Sequence, residues 1–407
     1  MTMIERRKDF RPETGEAPFH LNEIFFSRTD ERGIIRSGND IFKRVAHYEW
    51  SEIIGHPHNI VRHPDMPKGV FWLIWDELKK GNPISGYVKN RAKDGLHYWV
   101  FAAMLPFGNG YLSARIKPSC GKLELIENLY SEVLQTEQNT SITPQDSATL
   151  LLEKLAEHGY ASYKQFMAQS LVEEMISRDK KLEHPSDRTI HNFQQMHQLS
   201  GALLQQTQQL ISQFEAMRTV PHNLRVIASR LEPTGGPVST LSQNYGIMSR
   251  EMSQWFETHV LGENSNFSTI RGAVESAMTM SGMAKLLKEC AEQLHKERRS
   301  MGENVSITNE RRYMDEIAAR YVQKCDTCFH EVKHEADRIT KACAIMNRHV
   351  LGLSTTRVMC KIESARRPDA GDALDDIISQ LMTFQNRIKH QLDSIATLGE
   401  DISQLRV

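Results

Sequence analysis

The chain has 407 residues, 40% of them apolar, and carries 50 Lys and Arg against 51 Asp and Glu for a net charge of −1. That length and apolar content allow two or three domains with buried cores and exclude a disordered protein. A balanced charge provides no global field for phosphates, which argues against nucleic acid as a partner, and no run of about 18 apolar residues is present to span a membrane.

Six cysteines, Cys120, Cys290, Cys325, Cys328, Cys343 and Cys360, could in principle pair. With no apolar signal segment behind Met1, and with all but Cys120 in one helical region, they read as reduced thiols of a cytoplasmic protein.

Residues 1–20, rich in Arg, Glu and Pro, read as an N-terminal arm. A first folded domain is expected over 21–119. Glu23–Thr29 and Gly33–Gly38, joined by an Asp-Glu-Arg-Gly turn, read as a β-hairpin. Asn39 is placed to cap a short helix through Ala46, because its side-chain oxygen can accept from the free first-turn amides. A helix over Pro67–Lys80 is ended by Gly81. Strand signals return at Ser85–Arg91, Leu96–Phe107 and Gly110–Ile116, with Lys93-Asp94-Gly95 as a turn. Two strands, several short helices and three further strands make an α+β domain, a five-stranded antiparallel sheet with helices on one face. The space between them is either a ligand cavity or a solid core.

From Gly121 onward the signals are helical, with a connector over 120–184 and a bundle over 185–407. Helices are predicted at Gly121–Glu137, Pro144–Lys181, Pro185–Val220, Pro237–Leu261, Asn266–Met301, Ile307–Arg366 and Gly371–Leu405. Pro/Gly clusters near 233–237 and 368–371 predict hairpin turns. A weak likeness between Asn223–Glu232 and Ser354–Glu363, each just before one of these clusters, fits a paired hairpin design as well as chance. Ala318, Val322, Cys325, Phe329, Val332, Ala336, Ile339, Cys343, Met346, Val350 and Leu353 alternate steps of four and three, a seam that needs a partner helix from the same chain or a second copy.

Cys325 and Cys328 with His330 and His334 invite a zinc or dithiol reading. However, Cys325 and Cys343 belong to the apolar seam and His334 lies across the helix, so the cysteines read as small buried hydrophobes. No nucleotide loop, nucleophile elbow or zinc-helix motif is present, and an enzyme is not expected.

The Arg62-His63-Pro64-Asp65 turn leaves two readings open. Arg62 offers a fixed fork of donors, Asp65 accepts, and Pro64 stiffens the backbone, which suits a planar polar ligand. A surface ion pair between Arg62 and Asp65 accounts for the same residues.

Across Asn39-Asp40-Ile41-Phe42, Gly55 to Lys68 with its Arg62-His63-Pro64-Asp65, Trp75, Leu78-Lys79-Lys80-Gly81, Val88-Lys89-Asn90-Arg91 and His97-Tyr98-Trp99-Val100, the sequence closely resembles the PAS domain of bacterial aerotaxis receptors, over residues 20 to 118. The resemblance implies noncovalent FAD, with Asn39, His58, Arg62, His63, Asp65 and Tyr98 lining the flavin site. At Pro83-Ile84-Ser85-Gly86 the family usually carries Trp in place of Ile84, a departure that implies weakened flavin binding, an altered pocket or another ligand such as haem. The helical half looks like a degenerate chemoreceptor hairpin. The resemblance therefore implies a redox, oxygen or energy sensor that relays through the helical bundle to a chemotaxis kinase and its coupling protein or to another signalling protein; a homodimer is expected. The alternative is a PAS module, cofactor-free or haem-binding, that dimerises a helical scaffold.

Overall fold

The computed structural model describes residues 11–217, 220–231, 236–259, 265–296, 307–366 and 371–405. It divides into two compact units, Met1–Gln194 with Glu275–Thr327, and Gln195–Val274 with Cys328–Val407. The predicted turns near 233–237 and 368–371 fall largely on residues outside the described ones.

The first unit is built on strands β1 (Phe25–Asp30), β2 (Ile35–Gly38), β3 (Ile84–Arg91), β4 (His97–Pro106) and β5 (Gly110–Ile116), in the order β2-β1-β5-β4-β3. All neighbours pair antiparallel. Between β2 and β3 come helix α1 (Asp40–Ala46), helix α2 (Trp50–Ile53), a 3-10 turn (His58–Val61) and helix α3 (Lys68–Lys79). Asn39 performs the predicted capping, its Oδ1 accepting from the Phe42 amide at 3.3 Å.

Alternation along the strands gives the sheet two faces. Thr29, Val88, Asn90, Tyr111, Ser113 and Arg115 face the inner helices across a cavity. The neighbouring positions point the other way, and here the structure departs from the expectation of helices on one face. Helix α4 (Lys122–Asn139) and helix α6 (Tyr163–Lys181) cover the outer face. The Tyr87 hydroxyl of β3 donates to Glu174 of α6 at 2.8 Å, and the Tyr130 hydroxyl of α4 donates to the Tyr87 carbonyl at 3.2 Å. An apolar outer face on a twisted sheet needs cover, and the connector supplies it.

The predicted single helix over Pro144–Lys181 is two, α5 (Pro144–Glu157) and α6. Gly159 at φ +83° takes the left-handed position that ends α5. Ser162 then caps α6 by accepting from the Gln165 amide at 3.0 Å.

Helices α7 (Arg188–Met217), α8 (Val220–Leu231), α9 (Pro237–His259), α10 (Asn266–Lys296), α11 (Ile307–Arg366) and α12 (Gly371–Gln404) follow. In the second unit, α11 and α12 run antiparallel. Ser403 donates to Asp337 at 2.7 Å and Asn347 to Asp393 at 3.0 Å, while a side chain at Gly399 would meet Thr340 Oγ1 at 2.4 Å. Phe214 of α7 meets Phe384 of α12 edge-on at 5.4 Å.

The predicted seam on α11 is buried at Ala318, Cys325, Phe329, Val332, Ala336, Ile339, Cys343, Met346 and Val350. Val322 is the exception at 48% exposed, while Tyr321 is at 9%. The phenol covers more apolar surface than valine would, so the helix turns that face inward there. Leu353 lies outside the described side chains.

Candidate functional site

A cavity of about 720 Å³ lies between the inner face of the sheet and α3, within the size range of small-molecule sites. Its aromatic wall comes from α3, whose Phe71, Trp72 and Trp75 line it, with Trp75 edge-on to Tyr111 of β5 at 5.3 Å. Polar atoms come from the strands and from the 3-10 turn.

Arg115 of β5 is the central charge. It is 4% exposed, sits 5.5 Å from the ring centroids of both Phe25 and Phe42, and donates to Ser27 Oγ at 2.9 Å and the Ser113 carbonyl at 3.3 Å. Its Nη2 lies 2.6 Å from His58 Nε2. Burial pushes its pKa down to about 10, and among the described residues no carboxylate pairs with it. A guanidinium has no acceptor, so His58 Nε2 must accept, which requires the neutral imidazole. Consistent with that, burial first and the Arg115 charge second hold the His58 pKa well below its ordinary value of 6.5. Beside Arg115, the Ser113 hydroxyl is buried without a hydrogen-bond partner while lining the cavity. A buried cation without a counter-charge and an orphaned hydroxyl on one wall are the groups an anionic or acceptor-rich ligand would satisfy.

A base depressed in the folded state binds its proton in the unfolded state first, so acid favours unfolding. The His58 contribution is fully present above pH 6.5 and is lost as pH falls below it. Urea denaturation of the ligand-free protein between pH 8 and pH 5 is expected to show this loss, and His58→Gln is expected to flatten it; an unchanged slope in the variant would remove His58 as its source.

Of the residues marked by sequence, His58 and Arg62 line the cavity. Arg62 lies over the Phe71 ring at 4.0 Å and donates to the Met66 carbonyl at 2.9 Å. Asn39 is fully buried and committed to backbone, accepting from Phe26 N at 3.1 Å and donating to the Ile24 carbonyl at 3.0 Å. Tyr98 is also fully buried, its hydroxyl unpartnered and its pKa raised by burial. His63 and Asp65 sit apart from the cavity lining, where Asp65 pairs with Lys89 at 2.7 Å. That bond, more than any other influence, lowers the Asp65 pKa. The ion pair drawn from Arg62 to Asp65 is thus made by Lys89 instead.

Ile84 is buried but does not line the cavity. Sequence reasoning passed over Arg115 and Ser113, and quoted Asn90 without assigning it to the site. The available signal was the alternation Tyr111, Ser113, Arg115 on one face of β5 against Leu112, Ala114, Ile116 on the other, which puts a serine and an arginine on the same side as a ring.

A five-stranded antiparallel sheet in this order, with short helices enclosing a cavity against one face, defines a PAS domain, and the family model described as PAS fold matches residues 36–112. This region of the chain is similar to the Aerotaxis receptor of Escherichia coli (strain K12), 46% identical over 118 residues. The match covers 28% of this chain and 23% of that receptor, so the likeness spans under a quarter of the receptor's length. The crystal structure of a PAS domain from a Colwellia psychrerythraea protein is 23% identical, covering 23% of this chain and 85% of that one with a TM-score of 0.20. No described helix is long and apolar enough to cross a membrane.

Proposed function

We propose that this protein is a sensor whose PAS domain holds FAD and whose helices relay the state of that cofactor to a chemotaxis-type partner. The observation that carries the reading is the uncompensated Arg115 beside neutral His58 and the orphaned Ser113 hydroxyl in a cavity walled by Trp75. FAD has planar rings to stack on aromatics and acceptors and phosphates to meet a buried guanidinium. When bound, it supplies reversible electron transfer. His58, Arg62, Arg115, Ser113 and Asn90 would orient it, while α3 excludes water. The proposed boundaries remain an arm over 1–20, the sensor over 21–119, a connector over 120–184 and a bundle over 185–407.

A second copy belongs to the same reading. On α11, Leu351, Val358, Met359 and Ile362 are exposed at helical spacing, together with Ile345.

The test is the absorbance and sedimentation of the full chain. Wild-type protein is expected to purify yellow, or to take up added FAD, and to sediment as a dimer. Arg62→Ala is expected to lose colour by roughly tenfold or more in affinity while remaining dimeric. A Soret band would replace flavin by haem, and a colourless dimer that refuses FAD would leave the cofactor-free scaffold. Turnover of NADH well above free flavin would overturn the non-enzymatic reading.

A further inference from the structure

Helix α3, which walls the cavity, does not cap its own N-terminus. Its N-cap position is Pro67, with no side-chain cap hydrogen bond, and the first amides of a helix need acceptors from elsewhere. Those acceptors come from the connector. The Lys68 amide donates to Glu137 Oε1 of α4 at 2.7 Å, and the Gly69 amide donates to Ser147 Oγ of α5 at 3.0 Å. The Ser147 hydroxyl in turn donates to the same Glu137 oxygen, so one carboxylate holds both ends of the cap. Its negative charge lies where the helix dipole favours it.

Packing makes the junction stiff. A Cβ on Gly69 would come within 2.4 Å of the Ala148 amide nitrogen and 2.5 Å of the Ser147 carbonyl carbon, so the two backbones are in direct contact. Ser147, Ala148, Leu151 and Leu155 are all buried, and Pro144, the first residue of α5, itself reaches the cavity lining. The same helix presents Phe71, Ile74 and Trp75 to the cavity. A close-packed contact of this kind transmits displacement instead of absorbing it.

We infer that α3 and the α4–α5 connector move as one body through this borrowed cap, so that filling the cavity is read out as a change in α5. The inference rests on the proposal that the cavity holds a ligand. The relay bypasses the sheet: it runs from the cavity wall through Lys68 and Gly69 to Glu137 and Ser147.

Hydrogen exchange on the full chain tests it, with FAD as the probe. In wild type, FAD is expected to slow exchange of amides in 144–157 by about tenfold. In the double variant Glu137→Gln, Ser147→Ala, FAD is expected to bind within about threefold of wild type while exchange in α5 no longer responds. Bound FAD with no change in wild-type α5, or an undiminished response in the double variant, overturns the relay. If FAD does not bind, the flavin reading fails, and the relay is decided by partly filling the cavity of about 720 Å³ with a large side chain from its wall, Ala102→Trp or, should that not fold, Val88→Phe. The filled protein is expected to slow α5 exchange only while Glu137 and Ser147 are intact; α5 exchange unaltered by filling overturns the relay.

Discussion

Arg115→Met is expected to purify without flavin and, compared with empty wild type, to melt higher. The two effects share one cause. The guanidinium is 4% exposed, its pKa is pushed down to about 10, and no carboxylate among the described residues offsets its burial. Replacing buried charge by an apolar side chain of similar length often stabilises by about 1–4 kcal/mol. The loss of the bonds to Ser27 and the Ser113 carbonyl offsets roughly 1–2 kcal/mol of that, while His58 Nε2, which loses Arg115 as a donor, keeps the Ser27 hydroxyl at 3.1 Å. A net gain near 1 kcal/mol raises the melting temperature by about 2–4 °C in a unit of this size. Ligand affinity moves the other way, by about 100-fold or more, because the cation meets the ligand in a site shielded from water. Calorimetry of the empty proteins and titration with FAD measure the two separately. A lower melting temperature would make Arg115 a structural residue, and unchanged affinity would remove it from the site.

Glu174→Leu carries the largest expected cost to stability, roughly 3–5 kcal/mol. Glu174 is fully buried on α6. It accepts from Tyr87 Oη at 2.8 Å, Ser119 N at 2.6 Å, Ser119 Oγ at 2.9 Å, and Cys120 N and Sγ at 3.1 Å each. These donors come from β3 and from the segment leaving β5, so one carboxylate joins the sheet to the start of α4. Burial, then the Glu174 charge, pushes the Cys120 thiol up to about 12, and the same causes raise Tyr87. Both therefore remain protonated donors. Leucine fills the space and removes the carboxylate acceptor from all five, leaving the Ser119 and Cys120 amides without one, while Ser119 Oγ keeps only the Glu174 carbonyl at 3.4 Å and Tyr87 Oη only Cys120 Sγ at 3.4 Å. Glu174→Gln keeps a single acceptor oxygen and turns an amide N–H toward donors, so its cost is expected near 2–3 kcal/mol. The urea midpoints of the two variants test the order; a Glu174→Leu cost under about 1 kcal/mol would show that the donors find other partners.

Neither residue was marked by sequence, and the reason is the same for both. A glutamate inside α6 reads as one more polar helix position until the outer face of the sheet is placed against it. An arginine near the end of a strand reads as a surface charge until the helices from α1 to α3 close over that face. By contrast, Asn39 was legible because a cap is a local device, satisfied within three residues at Phe42. His58 and Arg62 were legible through the resemblance and reach the cavity, but their neighbours His63 and Asp65 do not, because the backbone through the turn carries alternate side chains to different sides. The break at Gly159 had a local signal too, a glycine followed by Ser162 and Gln165, which continuous apolar periodicity on either side concealed.

What the sequence by itself determined is what short-range chemistry controls: five strands from alternation, the Asn39 cap, helices from the 3.6-residue period, and a PAS domain from a long string of matching residues. The α11 seam was also legible, since burial at steps of four and three depends on the helix more than on its partner, and among the described side chains it failed at Val322, where Tyr321 competes for the same space. What only the tertiary structure decided is which distant groups meet: Arg115 with His58, Glu174 with Tyr87, and the cap of α3 with Glu137 and Ser147. Those meetings arise when burial brings whole faces together, and no local preference of either residue encodes them.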